Sequence, residues 1–237
     1  MKHLVVLTGA GMSAESGIKT FRGEDGLWEG HDVMQVASPK GFASNPELVL
    51  EFYNQRRRQL LQVSPNQAHL ELANLEKHFK VTIITQNIDD LHERAGSTNV
   101  IHLHGELLKV RSTRDENFIL DWKTDLNLGD VDKHGHQLRP HIVWFGESVP
   151  ALNDAIPIIE EADIIVVVGT SMVVYPAASL VHYAKPEAPV FVVDPNRPEV
   201  SLKNVVYIDE KVGTGVEILK EKLEKLNKEE EKNQKIK

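Results

Sequence analysis

The stretch LVVLTGAGMSAESGI, Leu4 to Ile18, decides the fold. Its first five residues are apolar or β-branched without alternation, which predicts a strand buried on both faces. Gly9 and Gly11 allow a tight turn and close approach of a ligand to the backbone. Ser13 and Glu15 stand where a helix begins, and unpaired N–H groups there suit a phosphate. With Ala14 closing the pattern, the loop fits the G-x-G-x-x-G/A form of dinucleotide sites. The ordinary continuation, a second strand ending in an acidic residue about 20 positions on, is missing. That region holds FRGEDGLW (Phe21 to Trp28), too rich in glycine and charge for a strand. Phe21 to Asp32 is expected to be a flap.

The chain has 237 residues, enough for one domain with a sizeable core or a core plus insertion. Its 27 Lys and Arg against 35 Asp and Glu leave a net charge of −8, which argues against a general nucleic-acid surface. There is no cysteine, so disulfides, a thiol nucleophile and a Cys-based zinc site are excluded. The sequence shows neither a signal-peptide pattern nor a membrane-length apolar run, so no membrane partner and a cytoplasmic location are expected.

Further along, Asn45-Pro46 predicts a helix start, with Leu48, Val49, Phe52, Tyr53 and Leu60 on its apolar side. Ser64-Pro65 repeats that signal before a stripe of Ala68, Leu72, Leu75 and Phe79. Strands are predicted at 81–85, 100–103, 163–168, 190–193 and 205–208. Lys109 to Gln137 is polar and is expected to form an inserted hairpin or loop module. Structure should resume at His141 to Phe145, and Tyr175-Pro176 should open a helix reaching Leu180. A last helix carries Val216, Leu219, Leu223 and Leu226, and the charged run 228–237 is expected to fray. The alternation predicts an α/β fold: a Rossmann-like, mostly parallel sheet with helices on both faces, plus a smaller domain formed by two insertions. Polar clusters follow several strand ends, at 9–13, 86–89, 104, 169–171 and 194–196. Such ends share one crevice in an open α/β sheet.

Five ordered stretches resemble the sirtuins, NAD-dependent protein lysine deacylases: GAGMSAESGIKTFRGEDGLW (9–28), TQNIDDLHERAG (85–96), HLHGELLKVRS (102–112), RPHIVWFGE (139–147) and VVVGTSMVVYPAA (166–178). FYNQRRRQL (52–60) is similar to the class III branch, whose members favour succinyl and malonyl groups. The resemblance implies a Rossmann-like NAD-binding domain from residues 1–28, 65–108 and 138–227. A small domain would come from 29–64 and 109–137, with 228–237 as a charged tail. Most relatives hold a structural zinc there through four cysteines. Here Ser112 stands at one such position, and His134 and His136 alone do not complete a closed site, so no structural zinc is expected.

The same resemblance assigns the chemistry. The acyl-lysine carbonyl attacks the nicotinamide ribose of NAD, nicotinamide leaves, and a base activates a ribose hydroxyl, giving O-acyl-ADP-ribose. His104 matches the base, and imidazole's reference pKa of about 6.5 suits the task. His102 is assigned a structural role facing away from it. Asn87 and Asp89, with Gln86 and Ile88 beside them, match residues that position ribose and nicotinamide. Gly9, Ala10, Gly11, Ser13, Glu15, Phe21 and Arg22 match the cofactor loop. Gly169, Thr170 and Ser171 would line diphosphate and adenosine, with Asp194 and Asn196 near the adenine ribose. Tyr53 and Arg56, one helical turn apart, would hold an acyl carboxylate, and Ala37 would leave the pocket roomy. Substrate backbone would add as a strand near Val143 to Glu147. Two other functions fit the glycine loop: an NAD-dependent oxidoreductase, and a non-enzymatic ADP-ribose or NAD-binding module.

Overall fold

The computed structural model describes residues 1–19, 30–172, 175, 177–197 and 204–236, with side chains through 227. Most of the expected flap, including Phe21 and Arg22, lies outside the described residues. In chain order the first elements are β1 (His3–Thr8), α1 (Ala10–Ala14), α2 (Val33–Val36), α3 (Pro39–Ser44), α4 (Pro46–Leu60) and α5 (Gln67–Asn74). Next come β2 (Lys80–Thr85), α6 (Leu91–Ala95), β3 (Val100–His102), β4 (Gly105–Ser112), β5 (Ile119–Asp121) and β6 (Leu138–Ile142). The last are α7 (Leu152–Glu161), β7 (Ile164–Val168), β8 (Val190–Val193), β9 (Val205–Ile208) and α8 (Val212–Ile236), with short 3-10 turns at Leu75–Lys77 and Ala177–Tyr183.

Six strands form a parallel sheet in the order β3-β2-β1-β7-β8-β9, with β1 in the middle. All six residues of β1 are buried, as its unbroken apolar run predicts. Leu4 and Val6 join Leu72 of α5 and Val216, Leu219 and Leu223 of α8 on one face. Val5 and Leu7 join Ala155 and Ile159 of α7 and the Ala177–Tyr183 turn on the other. Each face therefore removes its own set of side chains from water, the largest favourable contribution to folding.

A second, antiparallel sheet in the order β5-β4-β6 frames the polar insertion: β5 lies inside 109–137, β4 begins before it, and β6 follows it. It is more regular than a hairpin or loop, because Leu50, Val110, Leu126 and Leu138 give it a small core against α4. Between the two sheets lies a larger cluster that includes Val36, Ala37, Phe52, Tyr53, Leu107, Ile142 and Trp144.

Several local expectations change. Asn45 does cap α4, accepting from the Leu48 N–H, but α5 is capped by Asn66, two residues beyond Ser64. The Asn66 side chain accepts from the His69 N–H, and His69 Nδ1 accepts the Asn66 N–H in return, a capping box with imidazole in the usual Glu position. β3 stops at His102 because the chain turns at Gly105 (φ +81) to start β4. α7 is absent from the sequence reading, since Pro157 interrupts its pattern. α8 continues to Ile236 through the run expected to fray. Lys, Glu and Gln are strong helix formers, and they extend a helix already anchored in the core.

Beneath β1, His69 and His92 are fully buried with ring centroids 4.8 Å apart. Burial lowers both pKa values, that of His69 to about 4. Neutral imidazole is thus favoured in the folded state, and this stability is lost as pH falls from about 6.5 toward 4. For His69 the linkage is worth about 3 kcal/mol. Thermal melts from pH 7 to pH 4 should show this acid loss, and His69→Asn should flatten it.

Candidate active site

The order of strands reverses between β1 and β7, and the loops leaving these two strands touch backbone to backbone. Gly11 N–H donates to Gly169 O at 2.8 Å, and Gly9 N–H to Val168 O at 3.2 Å. A Cβ on Gly169 (φ +60) would lie 2.3 Å from Met12 N, and one on Gly11 2.8 Å from Gly169 O. The room that these glycines create is therefore filled by the opposing loop, and the loop pair forms the rigid floor of the crevice. Gln86 Nε2 donates to Thr170 Oγ1 at 3.2 Å and joins the β2 loop to it. Met172 is left-handed (φ 53), a strained conformation for a side chain of its size, and Thr170 Oγ1 accepts its N–H. Ser171 is exposed at the rim.

Above this floor runs a short relay. Asn87 Nδ2 donates to Ser13 Oγ at 3.1 Å, and the Ser13 hydroxyl donates to Asp89 Oδ2 at 2.8 Å. All three residues are buried. Asp89 Oδ1 accepts the Leu91 N–H, so the same carboxylate also starts α6. Burial pushes the Asp89 carboxyl up, and the Ser13 and Leu91 bonds oppose the rise. Ile88 fastens the loop from behind, its carbonyl accepting the Leu107 N–H at 2.7 Å.

His104 Nδ1 lies 3.1 Å from the Gln86 carbonyl. A carbonyl only accepts, so Nδ1 carries the proton and Nε2 holds a lone pair. Burial lowers the pKa, which keeps the ring neutral, and the Gln86 bond opposes this only in part. Gly105 fixes the ring's place: a Cβ there would sit 2.1 Å from His141 O. His102 does not face away from His104. Its Nδ1 reaches the next carbonyl, that of Asn87, at 3.1 Å, because β3 ends at His102 and the turn through Leu103 and His104 brings both rings to the same loop.

The apolar cluster between the sheets holds the other candidates. Tyr53 Oη accepts the Trp144 indole N–H at 3.0 Å. Burial drives the Tyr53 phenol well above its ordinary range, opposed by the Trp144 bond and by the charges of Arg56 and Arg139. Arg56 stacks on the Phe52 ring at 3.3 Å and donates to Phe52 O. Ala37 lies in the same cluster. Arg56 to Arg58 is thus no uniform solvated run: Arg56 and Arg57 are buried, and Arg58 is exposed and paired with Glu51 and Asp125. Arg57 donates to Leu107 O and Asn54 Oδ1.

A sequence model described as the Sir2 family matches residues 9–176, well over half the chain. The chain belongs to the Sir2 family. It is 58% identical over 224 residues to an NAD-dependent protein deacylase of Helicobacter pylori, covering 94% of this chain and 98% of that one. A solved Sir2 homolog–NAD complex superposes with a TM-score of 0.85 at 43% identity, over 95% of this chain and 90% of the other. A Sir2 protein bound to acetylated peptide superposes with a TM-score of 0.76 at 32% identity, over 92% of each.

Within this Sir2 chain, the glycines, Ala10 at the start of α1, Ser13, Gln86, Asn87, Ile88, Asp89, His104, Gly169 and Thr170 converge as expected. Glu15 does not join them. It is exposed, and its carboxylate accepts the Gly213 N–H at the start of α8. Asp194 closes β8 and accepts the Asn196 N–H, forming a turn beside the floor rather than in the relay. Trp144, Arg139 and Glu147 are supports not singled out individually from the sequence. Arg139 stacks on Trp144 at 3.4 Å and pairs with Glu147, which also accepts the Trp144 N–H. Their signal was the RPHIVWFGE stretch itself.

At the far end of the small sheet, Ser112 Oγ donates to Asp132 Oδ2 at 2.6 Å. Asp132 Oδ1 accepts the N–H groups of His134 and His136, and His136 Nδ1 lies 3.1 Å from Oδ2. Both carboxylate oxygens are engaged, no thiolate exists, and no group of three or more metal-binding side chains occurs among the described residues. These residues do not fit a structural zinc. The Ser112 bond and the backbone donors hold the Asp132 carboxyl far below its usual range. Its contribution is present above the ordinary carboxylate pKa and disappears only in strong acid. Asp132→Asn should lower Tm by several degrees, whereas a chelator should leave the wild-type melt unchanged.

Proposed function

We propose that this Sir2 chain removes acyl groups from protein lysine side chains, consuming NAD and releasing nicotinamide and O-acyl-ADP-ribose. The observation that carries the proposal is the His104–Gln86 carbonyl bond, which leaves a neutral ring with Nε2 available as a base beside the Asn87–Ser13–Asp89 relay. NAD, when bound, supplies the electrophilic ribose carbon and the hydroxyls that accept the acyl group. The residues suit such a ligand. The relay offers a side-chain amide, a hydroxyl and a carboxylate in one buried place.

The roles follow from that chemistry. Ser13 and Asp89 fix the Asn87 amide, Asn87 orients the nicotinamide ribose end, and His104 takes a ribose hydroxyl proton. Gly9, Ala10, Gly11, Gly169, Thr170 and Ser171 form the phosphate side. Asp194 and Asn196 border the adenine end, and Gln86 braces the floor. Ile88 holds the base-bearing loop. Phe21 and Arg22 belong to the proposal on sequence resemblance alone, and Glu15 acts through α8. The small sheet is held by the Asp132 network in place of zinc. The cytoplasm, where NAD is plentiful, is the proposed location.

Tyr53, Arg56 and Ala37 fit the acyl pocket for succinyl and malonyl groups, alongside acetyl. A phenol and a guanidinium in a buried apolar cluster suit a carboxylate, since charge-assisted bonds strengthen where water is excluded. Mass spectrometry of an incubation with NAD and acyl-lysine peptides should show O-acyl-ADP-ribose. His104→Ala should reduce it by about 100-fold or more, the range of general-base removal. Because burial lowers the His104 pKa, wild-type activity should hold through about pH 6.5, the ordinary imidazole value, and fall only at lower pH as the ring becomes protonated. Arg56→Met should cut kcat/KM on succinyl peptide by about tenfold or more while sparing acetyl peptide; equal losses would remove Arg56 from the pocket.

A further inference from the structure

His102 is a buried titratable group beside the site that the proposed reaction does not use. Its side chain is 8% exposed, and each ring nitrogen faces an acceptor. Nδ1 lies 3.1 Å from the Asn87 carbonyl, and Nε2 lies 2.7 Å from Glu93 Oε1. Neither a carbonyl nor an ionised carboxylate can donate. A neutral imidazole has one N–H and can satisfy only one of them. Two short contacts of this kind require both nitrogens to be protonated.

Resting on the deacylase reading above, we propose that His102, held as an imidazolium, is a positioning residue: it ties the Asn87 carbonyl to Glu93 and so fixes the segment presenting Asn87 and Asp89. Asn87 is then held at three points. Its N–H donates to Thr85 Oγ1, its carbonyl accepts from His102, and its side-chain amide donates to Ser13. Such a clamp prepares a polar atom before the ligand arrives, which is where preorganisation contributes most.

Two histidines thus grip consecutive carbonyls of one loop in opposite charge states. His104 binds Gln86 O and leaves Nε2 open; His102 binds Asn87 O and commits Nε2 to Glu93. Their surroundings account for the difference. Burial disfavours charge on both rings. Around His102 it is outweighed by the Glu93 bond and charge from α6, then by Glu106 from β4, with the Asn87 carbonyl adding to them, and the pKa rises. Asp89 faces the same ring, His92 of α6 lies near it, and Lys109 of β4 acts on Glu93. Glu93 is correspondingly held below its ordinary pKa: burial pushes it up, and the His102 bond and charge more than offset that. The clamp is complete between the lowered Glu93 pKa and the elevated His102 pKa. It loses one of its two bonds as pH rises through the elevated His102 pKa.

The test uses the full chain, with histidine side-chain 15N and 1H NMR titration beside NAD KM measured across pH. Wild type should show one ring protonated at both nitrogens at pH 7 and titrating above 6.5. That signal should vanish in His102→Gln and titrate lower in Glu93→Gln, whose uncharged amide can donate to Nε2. KM for NAD should rise in wild type through the same pH interval, and that step should shift with the titration in Glu93→Gln. His102→Gln should have a KM raised about tenfold at every pH, in line with the loss of one charged hydrogen bond. A neutral His102 at pH 7 overturns the proposal. So does a His102→Gln variant that melts earlier yet keeps its KM, because the ion pair would then be structural only. Failure of the deacylase reading is separate: NAD affinity by calorimetry replaces KM, and the titration is unaffected.

Discussion

Two glycine-bearing loops meeting without side chains between them set the geometry on which the rest of this chain depends. Gly11 and Gly169 approach until backbone bonds backbone, and no larger residue fits at either position. That contact closes the floor between β1 and β7. The loop after β2 then meets this unit at two places, with the Gln86 N–H donating to Thr8 O and the Asn87 and Asp89 side chains bonding Ser13. The relay through Ser13 exists because the floor beneath it cannot spread.

The polar centre is built by layers of carbonyl and carboxylate acceptors. Gln86 and Asn87 expose consecutive carbonyls, and two imidazoles answer them from the end of β3. Asp89 turns one oxygen to Ser13 and the other to the first N–H of α6, so a single carboxylate both begins a helix and orients a side chain. On the opposite wall, Glu147 receives Arg139, Arg111 and the Trp144 N–H, and Trp144 in turn bonds the Tyr53 phenol. Each wall is thus stiffened by a carboxylate behind the residues that face the cleft.

The central sheet was readable because its strands are buried on both faces, and a sequence such as IIVVV permits little else. The glycine loop was readable for the same reason, since few residues tolerate such close packing. What escaped were elements whose signals are masked by one residue. Pro157 hides α7, and Asn66 rather than Ser64 starts α5, because only the folded chain shows which side chain reaches the first free N–H groups. In the site, Asn87, Asp89 and His104 were legible as polar residues after strands, while Trp144 and Glu93 were not. Their importance lies in what they touch, and those partners are distant in sequence or across a turn. The fate of Arg57 is similar. Three adjacent arginines look alike in sequence, and only the folded α4 separates the buried ones from the exposed one.

The middle position of β1 also constrains how the protein is made. One of the two neighbours of β1, β7, begins only at Ile164. A largely apolar segment must therefore wait, with one hydrogen-bonding edge unsatisfied, until the chain has been synthesised as far as Val168. Such long-range pairing slows assembly and favours aggregation in nascent chains. Newly translated copies are therefore candidates for chaperone capture through residues 3–8, a dependence that disappears once the mature sheet has sealed that edge.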